Sequence, residues 1–333
     1  MATLQGNVLT LADWAKRLDP DGKVPSIVEL LSQTNEVLDD MLFMEGNLPT
    51  GHRTSVRTGL PSVAWKLINQ GVTPSKSTTA QIDESIGIME AWSEVDKDLA
   101  MLNGNTSSFR LSEAQAFIES MNQEMASTLF YGNSSVAPEE FTGLAPRYSD
   151  LSAGNAQNII DGGGVGSDNS SIWLVCWGAN SVHGIFPKGS KAGLQHQDYG
   201  EVTIQDATQV GTSRLRAYQD QWQWKVGIAL RDWRFVVRIA NLDISLLVAN
   251  GGGQADLINA MIKALHVLPT MNMGKCCFYM NRTVMQMLDI QRRDDVAAAG
   301  MQYAEVDGKL IPTFRGIPIR KVDALLETEA QVI

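Results

Sequence analysis

The stretch GLPSVAWKLINQGVTPSKSTTAQI, residues 59–82, carries a large aromatic residue on a segment with few other apolar neighbours. Its first half alternates apolar and polar residues through Val63, Trp65 and Leu67, a pattern typical of a β-strand. Its second half is a long polar run that begins with glycine and proline turn signals. A tryptophan with so little to pack against in its own segment suggests a partner on another molecule.

Two short β-like runs, Thr-Ser-Val-Arg-Thr and Ser-Val-Ala-Trp-Lys-Leu, predict a long β-hairpin over residues 51–82. At about 3.3 Å per residue, half of this segment reaches ~50 Å. A compact chain of 333 residues has a radius of gyration near ~20 Å, so the hairpin is expected to extend beyond its own domain.

The hairpin is not expected to be stable on its own. Ordering its backbone costs conformational entropy, and its few large apolar side chains return less free energy than this cost. An isolated two-stranded hairpin is marginally stable in water. We therefore expect the segment to be mobile in the single chain and ordered against neighbouring subunits, with a surface loop of no functional consequence as the alternative.

Composition and charge narrow the class of protein. The chain has 27 basic and 37 acidic residues, for a net charge of −10 at pH 7, and 44% of its residues are hydrophobic. A globular protein of one large domain or two to three smaller ones fits these values. The acidic excess argues against a coat that grips nucleic-acid phosphates, although it is compatible with a wall that lies close to DNA without binding it.

The cysteines and the N-terminus indicate the cellular compartment in which the protein is expected. Cys176, Cys276 and Cys277 lack a Cys-x-x-Cys motif and a histidine-rich partner segment, which favours reduced, buried thiols over a disulfide framework or a metal site. The N-terminus does not read as a signal peptide, and no apolar run reaches the ~20 residues of a membrane span. We therefore expect a soluble cytoplasmic product with no cofactor and no membrane contact.

Apolar periodicity predicts the helices. The clearest covers residues 112–131, where Ser112 and Gln115 have capping-box spacing and Gly132 is placed to end the helix. Two later helices are expected over 254–268 and 281–293, with Asn281 as the N-cap of the second. Residues 26–42 also show roughly helical spacing.

Apolar runs predict a region rich in strands after a long polar stretch at residues 133–171, which is the candidate domain boundary. The expected strands cover residues 172–178, 184–187, 201–206, 222–230, 233–239 and 275–280. A further strand is expected near Ile86 and Ile88, running into a connector. The Asp307-Gly308 pair predicts a tight turn of a C-terminal hairpin.

Candidate catalytic and ligand-binding motifs do not hold up. The glycine-rich residues 161–171 lack Gly-Lys-Ser/Thr and precede a strand, and residues 250–254 lack the rest of a dinucleotide fingerprint. The Asp-Pro-Asp-Gly stretch at 19–22 has Leu30 where a calcium loop has glutamate. His196 near Asp198 could support a hydrolase, but exposed loops commonly contain such pairs. No catalytic, cofactor-binding or metal-binding residue is predicted.

Interleaved aromatic and basic residues at 214–238 could stack on nucleic-acid bases. Strand alternation accounts for them better. Five apolar residues there share one period-2 face: Trp222, Trp224, Val226, Ile228 and Leu230.

The order of the predicted segments resembles that of a known protein family over nearly the whole chain. An extended arm precedes a hairpin with SVAWKLINQG; a strand, the helix LSEAQAFIESMNQEMASTLFYGN and the run APEEFTGLAPRY follow, and a mixed region closes with FRGIPIRKVDAL. The junction of helix, Tyr-Gly-Asn and Phe-x-Gly-Leu and the ending Gly-Ile-Pro-Ile-x-x-x-Asp-Ala-Leu are its main marks. The layout resembles the major capsid proteins of tailed bacteriophages, short-tailed phages in particular, which have the Hong Kong-type capsid fold.

The resemblance implies an α+β fold with five parts. They are an N-terminal arm (1–50), an extended β-hairpin loop over an adjacent subunit (51–82), a peripheral domain (83–132) whose spine helix is 112–131, a mostly axial domain with part of the peripheral sheet (133–300), and a C-terminal hairpin and tail (301–333). The candidates for contact between subunits are Arg53, Arg57, Val63, Trp65 and Leu67.

The resemblance also implies partners. The expected product is a non-enzymatic virion protein that assembles in the host cytoplasm, as hexamers and pentamers, into an icosahedral shell around double-stranded DNA without reading its sequence. A separate scaffolding protein, a portal and a cement or decoration protein are further expected partners. Lys66 and Lys76 lie in the loop, but nothing marks either as reactive, so no isopeptide crosslink is expected.

Three alternatives stay open at this point. An encapsulin-type compartment protein has the same fold. A soluble hydrolase would use His196 and Asp198. A portal or decoration subunit would be another kind of virion protein.

Overall fold

The computed structural model describes residues 9, 13, 32–104, 106–205, 213–249, 255–294, 301–306 and 309–333. The chain is a mixture of helices and strands that forms two compact units. Unit 1 comprises Met1–Asn35, Ile88–Ser127 and Gly193–Lys225, and unit 2 comprises Glu36–Gly87, Thr128–Ala192 and Val226–Ile333.

The elements of the described residues are as follows. The strands are β1 (Phe43–Glu45), β2 (Gly51–Gly59), β3 (Thr78–Ser85), β4 (Gly87–Asp96), β5 (Ile159–Asp161), β6 (Asn169–Trp177), β7 (Val182–Phe186), β8 (Gln195–Gln205), β9 (Arg214–Leu230), β10 (Val236–Asp243), β11 (Lys275–Met280), β12 (Met301–Val306), β13 (Lys309–Phe314) and β14 (Ile317–Lys321). The helices are α1 (Val37–Asp40), α2 (Lys97–Ala100), α3 (Thr106–Tyr131), α4 (Ile244–Ala249), α5 (Leu257–Val267) and α6 (Arg282–Asp294). Short 3-10 turns are Leu102–Gly104, Ala145–Tyr148, Ala156–Asn158 and Trp233–Phe235.

The centre of unit 2 is strand β6. It pairs antiparallel with β10 on one side and with β11 on the other, and β11 continues in parallel to β14. Every residue of β6 and of β10 is buried. Such complete burial is typical of strands covered on both faces, which explains the apolar run at residues 172–177 of β6. Helices α5 and α6 contribute apolar residues to the core on one of these faces.

A buried polar network anchors the C-terminal tail in unit 2. Arg238 on β10 donates to Glu329 at 2.8 Å, to the Ser171 hydroxyl at 3.0 Å and to the Tyr148 carbonyl at 2.8 Å. Three hydrogen bonds satisfy most of the guanidinium donors, as a buried charge requires. The Asn241 side chain holds both the backbone N–H and the carbonyl of the tail residue Val332.

Unit 1 contains a sheet packed on helix α3. Strands β8 and β9 are antiparallel, and β4 lies beside β9. On the helix side, Phe117 stacks on Trp222 with ring centroids 5.1 Å apart. Buried Val95, Ala100 and Phe109 add a small apolar cluster.

The predicted hairpin is confirmed, but its return strand is different. β2 pairs antiparallel with β3, so Arg53 lies opposite Asp83. The predicted run Ser62–Leu67 is not a strand. Its apolar side chains have no partner strand among the described residues, whereas the polar run of β3 pairs with the whole of β2. The pairing was therefore decided by the available partner rather than by apolar alternation.

Helix α3 is longer than predicted. It begins at Thr106, so Ser112 lies inside the helix rather than at its N-cap, and its hydroxyl donates to the Phe109 carbonyl at 2.8 Å. Inside a helix, a serine hydroxyl can donate a hydrogen bond to a backbone carbonyl of the preceding turn. A serine in the sequence therefore does not by itself mark an N-cap. The predicted end is confirmed, since the helix stops at Tyr131, before Gly132.

The predicted helix over residues 26–42 is largely wrong. In its described part, only Val37–Asp40 is helical, and β1 follows directly in a parallel pairing with β7. Residues 19–31, including Leu30 and the Asp-Pro-Asp-Gly stretch, lie outside the described residues. So do residues 250–254 and the predicted turn at 307–308.

The other predicted elements are confirmed. The strand runs predicted after residue 171 correspond to β6 through β11, and the one near Ile88 is β4. The helices predicted over 254–268 and 281–293 are α5 and α6, and the Asn281 side chain caps α6 by accepting from the Thr283 N–H at 3.0 Å. The C-terminal hairpin is the antiparallel pair β12 and β13.

Candidate subunit interface

The base of the hairpin is fixed by a buried ion pair. Glu84 on β3 accepts two hydrogen bonds from the Arg147 guanidinium, at 2.7 and 2.6 Å, and its side chain is 8% exposed. Arg147 also donates to the carbonyls of Thr142 and Gly143, at 2.9 and 3.0 Å. The bidentate geometry and the extra carbonyl acceptors compensate the cost of burying both charges.

Two further contacts hold the start of β2. The Asn47 side chain donates to the Arg53 carbonyl at 2.8 Å and accepts from the Arg53 N–H at 2.7 Å. The His52 ring meets the buried His183 ring edge-on, with centroids 5.7 Å apart. Burial lowers the pKa of His183 to about 4, helped by the nearby His52 and Arg231, so the ring is neutral at pH 7. Burial lowers the pKa of His52 as well.

Next to the base of the hairpin, an exposed ion pair joins the two strands. Arg53 donates two hydrogen bonds of 2.6 Å to Asp83, and this pairing lowers the pKa of Asp83. A Cβ on Gly51 would lie 2.1 Å from the Glu84 carbonyl oxygen, so the strands approach each other there more closely than any side chain allows.

The tip of the hairpin, residues 60–77, contains no helix or strand. It holds itself together by a few local hydrogen bonds, such as the Gln70 N–H to the Leu67 carbonyl at 3.1 Å and the Ser75 hydroxyl to the Ser62 carbonyl at 2.8 Å. Its large apolar side chains are almost fully exposed: Leu60 81%, Val63 92%, Trp65 102%, Leu67 77% and Ile68 92%. A cluster of exposed apolar side chains of this size marks an interaction surface.

The hairpin is also basic in an acidic chain. Residues 51–85 contain Arg53, Arg57, Lys66 and Lys76 against Asp83 and Glu84, so the hairpin carries +2 while the whole chain carries −10. Arg53 is occupied by Asp83, whereas Arg57 lies exposed opposite Thr79. The tip therefore combines apolar area with uncompensated positive charge.

Unit 1 carries a surface of the opposite kind, here named the aromatic face: Ile88, Glu90, Trp92, Glu94 and Tyr199. The Trp92 and Tyr199 rings stack at 5.6 Å, and Ile88 and Trp92 are 58% and 43% exposed. Glu90 accepts hydrogen bonds from Gln223 and Gln221 on β9, which lower its pKa and keep it charged. Acidic and apolar side chains thus share one face of the sheet.

The five residues predicted to contact a neighbouring subunit all lie on this hairpin. Arg53 and Arg57 are on β2, and Val63, Trp65 and Leu67 are in the tip. The aromatic face was missed by sequence reasoning. The alternation of Ile88, Glu90, Trp92 and Glu94 pointed to one side of a strand, but Tyr199 is contributed by β8, more than a hundred residues later.

The residues of the hydrolase alternative are each engaged with other partners. His196 Nε2 lies 3.0 Å from Asp220 and its ring stacks on Trp222, whereas Asp198 accepts a 2.7 Å hydrogen bond from Arg110. That hydrogen bond lowers the pKa of Asp198. Since Arg110 also binds Asp220, the arrangement is an ion cluster that ties α3 to the sheet of unit 1.

The described residues contain neither a metal-binding cluster nor a membrane-spanning helix. No group of three or more His, Cys, Asp or Glu side chains is placed to hold a metal ion in that part of the chain. None of the helices resolved there combines the length and the apolar character needed to cross a bilayer.

The chain is similar to known proteins over nearly its whole length. The family model described as major capsid protein GP7 matches residues 19–333. The near-atomic-resolution structure of bacteriophage Epsilon15 is similar over 100% of this chain and 99% of that chain, with 31% identity and a TM-score of 0.80. No match was found among curated proteins.

More distant structures are similar at lower levels. The bacteriophage JBD30 capsid has 9% identity and a TM-score of 0.47 over 89% of this chain and 92% of that chain. The SrpI encapsulin of Synechococcus elongatus has 12% identity and a TM-score of 0.47 over 71% of this chain and 97% of that chain.

The family match covers nearly the whole chain, and it decides for the phage-capsid interpretation over the encapsulin and hydrolase alternatives. The predicted α+β fold of Hong Kong type is confirmed by the likeness to the Epsilon15 structure. The chain belongs to the GP7 family of major capsid proteins: it is a structural, non-enzymatic subunit of the icosahedral shell of a tailed bacteriophage.

Proposed function

We propose that the hairpin of residues 51–85 is the arm by which this capsid subunit binds a neighbouring copy, and that hexamers and pentamers joined in this way close the shell. One observation carries the proposal: the base of the hairpin is anchored by the buried Glu84–Arg147 pair while the side chains of the tip are uncovered. A rigid base holds the tip in place, and the tip needs another chain to bury its apolar area.

The free energy of this contact comes from the apolar side chains. Burying a large apolar side chain contributes about 1.5–3 kcal/mol. Five such side chains lie within residues 60–68. They supply the favourable part of the contact, and the entropy of ordering the tip opposes it. Val63, Trp65 and Leu67 are therefore the main contact residues.

The surface that receives the tip is the aromatic face of the neighbouring copy. The tip presents apolar side chains with the cations Lys66 and Lys76, next to Arg57 on β2, and the aromatic face presents apolar side chains with Glu90 and Glu94. Complementary charge selects the partner surface and its orientation, while the apolar contacts supply the affinity.

The remaining roles follow the same scheme. Helix α3 is the spine of the peripheral domain, and most of residues 133–300 form the axial domain. Residues 1–50 are the N-terminal arm, which is distinct from the hairpin. The packaged double-stranded DNA lies against the shell without sequence-specific binding, which the net charge of −10 supports. A separate scaffolding protein, a portal and a cement protein complete the set of partners. Assembly takes place in the reducing host cytoplasm, which the free thiols of all three cysteines support.

A triple substitution in the tip tests the arm. Val63→Ser, Trp65→Ser and Leu67→Ser together remove the apolar contact, so we expect soluble, folded subunits that build no closed shells in negative-stain electron microscopy. Thr73→Ala with Ser77→Ala is the matched control in the same tip and leaves assembly intact. Closed shells of normal size from the triple variant contradict the proposal.

A charge swap tests the receiving surface separately. Lys66→Glu with Lys76→Glu weakens assembly, and adding Glu90→Lys with Glu94→Lys in the same chain restores part of it. If the triple variant abolishes assembly and the charge swap gives no rescue, the hairpin is the arm but the aromatic face is not its partner.

A further inference from the structure

Strands β6 and β11 place two thiols directly opposite each other in unit 2. In the antiparallel pairing of these strands, Cys276 lies across from Cys176. Opposite residues of an antiparallel ladder have Cα atoms about 4.5 or 5.5 Å apart, and a disulfide accepts Cα separations of about 4.4–6.8 Å. A disulfide between them therefore needs no movement of either strand.

The third cysteine faces the other way. Cys176 and Cys276 both belong to the apolar core formed with α5 and α6. Cys277 is the next residue on β11, so its side chain points to the opposite face, where Tyr279 and Asp40 contact it. Only the first two thiols can meet, although all three are buried.

The two opposed thiols already contact each other. Their interaction lowers the pKa of Cys176 and, together with burial, raises the pKa of Cys276. Cys276 Sγ also lies 3.7 Å from the Met271 carbonyl oxygen. The direction of these pKa shifts favours the thiolate of Cys176 over that of Cys276.

We propose that Cys176 and Cys276 are an oxidation site, where a peroxide converts the two thiols into an intramolecular disulfide that joins β6 to β11. The Cys176 thiolate attacks one oxygen of hydrogen peroxide, the O–O bond breaks, and hydroxide leaves a sulfenic acid on Cys176. The Cys276 sulfur then attacks the sulfenic sulfur, the S–O bond breaks, and the departing hydroxide takes up a proton. Two thiols lose two hydrogens, and one peroxide becomes two waters.

This inference does not depend on the hairpin proposal. The bond would link residues 100 positions apart in the chain, and a crosslink over so long a loop restricts the unfolded state strongly. Thiols persist in the reducing cytoplasm and oxidise outside cells. The subunit therefore folds with free thiols and gains a covalent staple in its core after the particle leaves the host.

The test uses the purified full-length protein treated with hydrogen peroxide. The protein is then unfolded, remaining thiols are alkylated, and the digest is analysed by mass spectrometry without reductant. We expect one crosslinked peptide pair containing Cys176 and Cys276, alkylation of Cys277, and a melting temperature raised by on the order of 10 °C that returns on adding reductant.

Two variants serve as controls. C277S keeps the crosslink and the rise in melting temperature, and C176S loses both. If peroxide leaves Cys176 and Cys276 open to alkylation in the natural protein, or if the crosslink involves Cys277 or a second chain, the proposal is wrong. Because the natural protein gives the main result, a variant that fails to fold does not remove the test.

Discussion

The base and the tip of the hairpin differ in how their side chains are buried. At the base, Glu84 is 8% exposed and its carboxylate is bound by Arg147, so the chain satisfies its own buried charge. At the tip, Trp65 is 102% exposed, more than any other large apolar side chain of the described residues. The base completes the fold of one subunit, whereas we propose that a second subunit completes the tip.

This difference indicates which contacts stabilise the single subunit. A substitution at the base removes contacts that exist within the single chain, so it lowers the free energy of unfolding. A substitution at the tip removes side chains that are exposed in the single chain, so on our proposal it changes assembly and leaves the stability of the subunit unaffected. The predictions below separate these two effects, starting with the largest.

Arg147→Met should destabilise the subunit most. It leaves Glu84 buried without its cation, and breaking a buried ion pair in this way costs about 3–5 kcal/mol. Urea denaturation of the unassembled subunit measures the loss. Arg53→Met is the matched control, because the Arg53–Asp83 pair is exposed and its removal should leave the denaturation midpoint nearly unchanged. Equal shifts in the two variants would remove the distinction between the buried and the exposed pair.

Acid should also loosen the base. Because the pKa of His183 is lowered from 6.5 to about 4 in the fold, the unfolded chain binds the proton more readily between these values. The contribution of His183 to stability is therefore complete above pH 6.5 and is lost as the pH falls toward 4, by on the order of 3 kcal/mol.

Urea titrations at several pH values between 7.5 and 4 test this loss. The groups around His183 include His52, Arg231 and, through His52, Glu84. His183→Gln cannot be protonated there, so we expect it to flatten the pH dependence. The same slope in both proteins would show that the titration arises elsewhere.

Trp65→Ser should have the smallest effect on stability. With its side chain fully exposed, the change in free energy of unfolding is expected within about 0.5 kcal/mol, although assembly is impaired. Trp173→Ala, at a completely buried position of β6, is the contrast and should cost about 3–5 kcal/mol. Thermal melting of the two unassembled variants makes the comparison.

The core and the arm could be predicted from the sequence for different reasons. Strands β6 and β11 are continuous apolar runs, and helices α5 and α6 have clear periodicity and a clear N-cap at Asn281. The hairpin was predicted to reach another molecule because Trp65 has few apolar neighbours that could cover it. In each case the signal lies within one short segment.

The errors arose where a distant segment decided the structure. The return strand β3 is polar and was chosen by pairing with β2, and β1, which pairs with β7, was not predicted. The aromatic face could not be predicted because the stack of Trp92 on Tyr199 joins two strands far apart in the sequence. Local patterns do not contain such information.

Hydrogen–deuterium exchange of residues 60–77 tests the central claim most directly, measured on the unassembled subunit and on closed shells. We expect these amides to exchange at the rate of an unstructured peptide in the subunit, because few of them donate within the chain, and to become protected in the shell. Residues of β6 serve as the internal standard, protected in both states. Slow exchange of the tip in the unassembled subunit would contradict the account, because the tip would then be completed by its own chain.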